Sequence, residues 1–150
     1  MRQNTYIPNS RAFSSVYMNN NTTVTPLAVL SNYYKIEGST TTVKEQRFTS
    51  ANNRLTYTGK EEINRKILVI IGAKAPANNV DFSIAIAKNG VVIPNPNGSL
   101  AASANNQSFQ LTLATEVDLL TNDYIEVFIR KNNNNTASIL VEELQFRVTD

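Results

Sequence analysis

Asp81-Phe82-Ser83-Ile84-Ala85-Ile86-Ala87-Lys88-Asn89-Gly90-Val91-Val92-Ile93 is the stretch that decides the fold class. Phe82, Ile84 and Ile86 recur at every second position, the spacing that places side chains on one face of an extended chain. Asn89-Gly90 then separates two apolar runs. Both residues accept the positive φ angles of a type I′ turn, so the stretch reads as two antiparallel strands joined by a tight hairpin. The residues that follow, Pro94-Asn95-Pro96-Asn97-Gly98, read as a long irregular loop, because proline offers no amide hydrogen to a ladder.

The same period recurs on both sides of this hairpin. Phe109, Leu111 and Leu113 alternate with polar residues over 108–113, and Ile125, Val127 and Ile129 alternate with Tyr124, Glu126 and Phe128. Residues 14–18, 26–30, 46–49, 54–58, 66–71 and 90–93 are shorter strand candidates, and no stretch carries a sustained helical stripe. Over 138–148, Ile139 and Val141 set one parity while Leu144, Phe146 and Val148 set the other. That slip at Glu142-Glu143 predicts a β-bulge. About one residue in seven is asparagine, in runs at 19–21, 52–53, 105–106 and 132–135 that fall between apolar segments. Asparagine tolerates positive φ and closes turns with its own side chain, so these runs read as loop tips. About eight to ten short strands with turns between them predict an all-β chain, an antiparallel β-sandwich or jelly roll. The polar stretches before Ala12 and over 19–25 predict an extended N-terminal arm. The expected division is an arm with the first strands over 1–35 and a jelly-roll domain over 36–150.

The chain of 150 residues has the size of one domain, and it contains no cysteine and no histidine. Disulfides, thiolate or imidazole metal sites and every triad built on histidine are thereby excluded. A formal net charge of +2, spread along the chain, gives no nucleic-acid footprint. The longest aliphatic run, Ile67-Leu68-Val69-Ile70-Ile71, is far short of the roughly 20 apolar residues that span a bilayer. Residues 1–8 lack the apolar centre of a signal peptide, so no leader is expected. Glu116, Asp118 and Asp123 read as solvated loop carboxylates, since their spacing fits no cation-binding loop. No Ser-X-X-Lys motif is present. The expectation is a protein that is not an enzyme, with no metal, cofactor, membrane or nucleic-acid partner. Two strands are greasy on both faces: Leu68 and Ile70 oppose Ile67, Val69 and Ile71, while Tyr124 and Phe128 oppose Ile125, Val127 and Ile129. A sandwich buries only one face of each sheet, so these outer residues are expected to pack against another subunit, the alternative being loops or the N-terminal arm of the same chain laid over them.

Over about residues 40–150 the order of these signals resembles the compact trimeric jelly rolls of tumour-necrosis-factor and complement-globular-head type, especially those of tailed-phage virions. The carriers are Phe48, Arg54-Leu55-Thr56-Tyr57-Thr58-Gly59, residues 66–72, residues 85–93, and Val117-Asp118-Leu119-Leu120-Thr121-Asn122-Asp123-Tyr124-Ile125-Glu126-Val127. Asn122 stands where such loops often carry glycine. The resemblance implies a trimer contact at Tyr124 and Phe128, beside the outer residues Leu68 and Ile70. It further implies a non-enzymatic homotrimer of a phage virion, assembled in the host cytoplasm. In that role it is a capsid decoration or cement protein that grips the major capsid protein or other virion proteins. The docking residues are expected in the arm, at Arg2, Tyr6, Ile7, Arg11 and Phe13. The alternative is a tail or head fibre knob whose loops over 94–99 and 132–135 bind a host-surface receptor or glycan.

Overall fold

The computed structural model describes residues 11–94 and 98–150, and among these every regular element is a β-strand. In chain order they are β1 (Phe13–Met18), β2 (Thr25–Pro26), β3 (Tyr34–Lys35), β4 (Thr41–Gln46), β5 (Phe48–Ser50), β6 (Arg54–Tyr57) and β7 (Ile63–Lys74). These are followed by β8 (Val80–Lys88), β9 (Val91–Val92), β10 (Gly98–Ala102), β11 (Ser108–Leu119), β12 (Tyr124–Lys131), β13 (Ser138–Ile139) and β14 (Val141–Thr149). One sheet has the order β11-β7-β14-β1-β4. The other runs β10-β8-β12-β6-β5, with β3 added to β12 and β9 to β8, and β13 pairs with β2 in a separate ribbon. All pairings are antiparallel, and neighbours in a sheet are often distant in sequence, as in a jelly roll.

Alternation decides which face each strand buries. Ile67, Val69 and Ile71 of β7, Leu144, Phe146 and Val148 of β14, and Phe109, Leu111 and Leu113 of β11 all point into the sandwich. They meet Phe82, Ile84 and Ile86 of β8 and Ile125, Val127 and Ile129 of β12. The Phe82 and Phe109 rings stack across the layers with centroids 5.8 Å apart. The register of β14 against β7 jumps from Val141↔Ala73 to Glu143↔Gly72, so Glu142 is the extra residue of the expected bulge. It returns Leu144 to the face that Val141 already occupies.

Turns carry the asparagines. Of the nine non-glycine residues with positive φ among the described ones, seven are Asn20, Asn52, Asn53, Asn79, Asn89, Asn106 and Asn122. Asn89 (φ 51°) and Gly90 (φ 81°) form the expected hairpin between β8 and β9. Asn122, at φ 72°, adopts the left-handed conformation that glycine also favours, which explains how it stands in that loop. The first three strands lie within residues 1–35 and pair with later segments: β1 with β14 and β4, β2 with β13, and β3 with β12. From Phe13 onward the stretch expected as an arm thus supplies sheet strands. β4 was not visible as a strand, because all six of its residues are exposed and its ladder to β1 is a backbone matter at a sheet edge.

One buried polar side chain stitches the seven-stranded sheet together. β12 pairs with β6 up to Glu126↔Arg54 and with β3 from Phe128↔Lys35, which leaves Val127 between the two partners. Asn53, fully buried at φ 60°, fills that position. Its Nδ2 donates to the carbonyls of Val127 and Ile36, each at 3.0 Å, and its Oδ1 accepts from the Val127 amide at 3.2 Å. Asn53→Ala removes the Asn53 partner of the buried Val127 amide and Ile36 carbonyl, leaves the Val127 carbonyl with the Ile36 amide alone at 3.0 Å, and keeps an unfavourable left-handed φ. A loss of roughly 2–4 kcal/mol in urea-unfolding free energy is expected, against well under ~1 kcal/mol for Asn133→Ala at an exposed loop.

Candidate assembly surface

The outer face of the five-stranded sheet is set by the residues that the core leaves out. Register fixes its rows. Lys44, Ser15, Arg147, Leu68 and Ala114 lie side by side across β4, β1, β14, β7 and β11. Thr41, Tyr17, Gln145, Ile70 and Thr112 form the next row, about 7 Å further along the strands. Leu68, Ile70 and Tyr17 are half-buried, while Ala114, Thr112, Arg147 and Lys44 are exposed. A groove of about 420 Å³ runs past Leu68 and Ala114 between Lys66, Glu116 and Thr149. A second, of about 540 Å³, lies between Arg11, Phe13, Lys44, Arg147 and Asp150. Val43, on edge strand β4, is 62% exposed. The apolar part of this face is therefore Leu68, Ile70 and Ala114 on β7 and β11, bordered by Gln145 and Arg147 on the central strand β14.

The outer face of the other sheet is covered in part by its own chain, with Tyr124 and Phe128 half-buried like Leu68 and Ile70. Glu126 projects outward between Tyr124 and Phe128, yet it is 3% exposed. Lys35 Nζ and Arg54 Nε approach its Oε2 at 2.8 and 3.2 Å, two cations that offset the cost of taking the carboxylate out of water. The Arg54 guanidinium lies 4.1 Å from the centre of the Tyr124 ring, and Phe128 is in register with Lys35 of β3.

The expected contact residues thus separate into two pairs. Leu68 and Ile70 stand together on β7, whereas Tyr124 and Phe128 stand on β12 and face away from them, because the two strands belong to opposite sheets. A single flat interface cannot hold all four. Of the expected docking residues, Arg2, Tyr6 and Ile7 lie outside the described residues. Arg11 is exposed, and Phe13 opens β1 with Lys44 Nζ 5.5 Å from its ring centre. Two features of the site had no legible signal. Asn53 looks like any other paired asparagine in sequence, and Lys35, Arg54 and Glu126 are far apart along the chain.

At one end of the sandwich, the expected loop over 132–135 folds back onto its neighbours. Asn132 Nδ2 donates to Asp81 Oδ1 and Ser83 Oγ, both at 2.8 Å, and Asn133 Nδ2 donates to the Asn79 carbonyl at 2.8 Å. Of the expected loop over 94–99, residues 95–97 lie outside the described residues and β10 begins at Gly98. At the other end, Asp123 closes the loop before β12. Its Oδ1 accepts from Asn89 Nδ2 and its Oδ2 from the Leu120 amide, both at 2.8 Å, and Lys88 Nζ lies 3.1 Å from Oδ2. Asp118, considered above with Glu116 and Asp123, accepts from Asn64 Nδ2 at 2.8 Å.

No family model and no curated protein matches this chain. Solved structures do. Murine APRIL superposes with a TM-score of 0.57 at 10% identity, over 94% of this chain and all of that one. The globular domain of zebrafish complement 1qA protein gives 0.58 at 10% identity, over 93% and 97%. The PRD1 vertex protein P5 gives 0.57 at 6% identity, over 93% and 96%. The chain has the jelly-roll fold of tumour-necrosis-factor and complement-globular-head type, and that fold is shared with a phage vertex protein.

The Asp123 bracket has a pH signature. Burial works to raise its pKa, but the hydrogen bonds from Asn89 and Leu120 and the Lys88 ammonium outweigh burial and hold it below the ordinary 3.8. A depressed native pKa adds stability above the unfolded value, and this is lost as pH falls through the native one. Asp123→Asn is expected to lower stability at pH 7 and to flatten the stability–pH curve below about pH 4, read as unfolding midpoints across an acid series.

Proposed function

We propose that this chain is a non-enzymatic structural protein of a phage virion, a homotrimer that decorates and cements the head. Its partners are further copies of itself and the major capsid protein or another virion protein, and it assembles in the host cytoplasm. The observation that carries this reading is the outer face of the five-stranded sheet. Leu68 and Ile70 form an apolar strip there with Ala114, open to a groove, on a fold shared with the PRD1 vertex protein P5. An apolar strip of this kind on a sheet is what a neighbouring subunit covers. The Arg54 guanidinium over Tyr124 and the internally paired Glu126 beside it favour Leu68 and Ile70, which border an open groove, as the subunit contact. Docking to the shell falls to Arg2, Tyr6, Ile7, Arg11 and Phe13, of which Arg11 and Phe13 lie beside Lys44 of the exposed edge strand β4.

A second reading, a tail or head fibre knob, draws on the asparagine loops. Asn133 and Asn135 converge with Asn78 and Asn79 on one end of the sandwich, beside Asn132 on Asp81 and Ser83, and the polar surface of this end suits the hydroxyls of a host-surface glycan or a polar receptor loop.

Light scattering on the purified chain is expected to give three times the monomer mass. Ile70→Glu should weaken assembly by at least ~100-fold, since a carboxylate buried in the contact costs several kcal/mol. A monomer at high concentration, or an unchanged trimer mass for Ile70→Glu, overturns the contact. Removing residues 1–10, which spares β1, should abolish binding to purified shells while the trimer persists. Undiminished shell binding, with binding to host cells lost on substituting Asn132 and Asn133, would favour the knob.

A further inference from the structure

The apolar strip on the five-stranded sheet is flanked by opposite charges on opposite sides. Toward β1 and β4 stand Arg11, Lys44 and Arg147, and the Asp150 carboxylate in their groove is engaged by Arg65 Nη2 at 3.3 Å. Toward the β11 edge stand Glu116 and Asp118, exposed on the same outward parity as Ala114. The two sets also stand at matching height. Lys44 and Arg147 share a row with Ala114, and Glu116 lies one row further, in register with Lys66. Lys66, directly opposite Glu116 on β7, offsets one of the two acidic charges within the copy, while Arg147 on β14 stands two strand spacings, roughly 10 Å, from β11 and Lys44 on β4 four, roughly 19 Å, too far to offset the rest.

Resting on the trimeric reading, we propose that successive copies are keyed head to tail by ion pairs. Glu116 and Asp118 on the β11 edge of one copy face Arg147, Lys44 and Arg11 of the next. A ring about an axis along the strands preserves height, so it brings each acidic edge to a basic side at the level where the charges stand. Edge-to-edge packing about a two-fold axis does the opposite, setting β11 against β11 and β4 against β4 with like charges together. The occupant of the basic groove is therefore a second copy. Residues 1–10 of the same chain carry Arg2 and no acidic residue, and would add to the positive charge. The apolar strip supplies adhesion, while the charges set direction and exclude the symmetric alternative.

Reversal and rescue test this, with assembly followed by sedimentation velocity over a concentration series and folding checked by circular dichroism. Arg147→Glu and Glu116→Arg are each expected to raise the trimer dissociation constant at least tenfold. The two together should return it to within about threefold of the parent, and raising salt from 0.05 to 0.5 M should weaken the parent but scarcely affect either single variant. Lys44→Glu serves as the second basic-side variant should Arg147→Glu fail to fold. Lys60→Glu, the same charge change in an exposed loop away from this face, should leave assembly unaltered. A trimer indifferent to all these reversals, or a double variant as weak as the sum of its parts, overturns the ion-pair key and leaves the trimeric reading standing. A parent chain that remains a monomer overturns the trimeric reading itself.

Discussion

The structure depends on the contact between two aliphatic layers, Ile67, Val69, Ile71, Leu144, Phe146 and Val148 on one sheet and Phe82, Ile84, Ile86, Ile125, Val127 and Ile129 on the other. With neither disulfide nor metal ligand from cysteine or histidine available, removal of this apolar surface from water is the main term opposing chain entropy. Everything else is arranged around keeping those faces in register. The bulge at Glu142 is the clearest case, since without the extra residue either Val141 or the Leu144, Phe146, Val148 series would turn toward solvent.

Polar groups then fix what the non-directional apolar contact leaves free. Asparagines hold left-handed turns at seven positions and so define where strands end. Asn53 completes the backbone pairing of Val127 between two short strands that do not meet, and Asp123 ties the loop before β12 to the β8–β9 hairpin through Asn89. Glu126 is held out of water on the outer face of the seven-stranded sheet by Lys35 and Arg54 of the same chain. That pairing is what makes the two outer faces unequal. One carries an internally paired carboxylate between its aromatic rings, and the other presents Leu68 and Ile70 beside an open groove, the asymmetry on which the proposed assembly role rests.

The fold and the site were unequally legible in the sequence. Strands with strict alternation declared themselves, as at Phe82, Ile84 and Ile86 or Phe109, Leu111 and Leu113, because burying one face of a sheet forces a period of two. The Asn89-Gly90 hairpin and the Glu142 bulge were readable for the same local reason, a φ requirement in one and a parity slip in the other. β4 escaped because an exposed edge strand is held by its backbone, and the polar run Thr41-Thr42-Val43-Lys44 carries no pattern. The second half of β11 was missed where Ala114 and Thr115 dilute the alternation.

What the sequence determined by itself was the all-β class, the parity of each major strand, the turn positions and the exclusion of histidine and cysteine chemistry. These follow from interactions within a few residues of one another. Only the tertiary structure decided which greasy outer face keeps a need for company. Leu68 with Ile70 and Tyr124 with Phe128 look equivalent along the chain. They differ because Arg54, seventy residues from Tyr124 in sequence, lays its guanidinium over that ring and shares with Lys35 the buried Glu126 between the pair, whereas Leu68 and Ile70 border an open groove. Coverage depends on distances across the fold, and no local spacing encodes it.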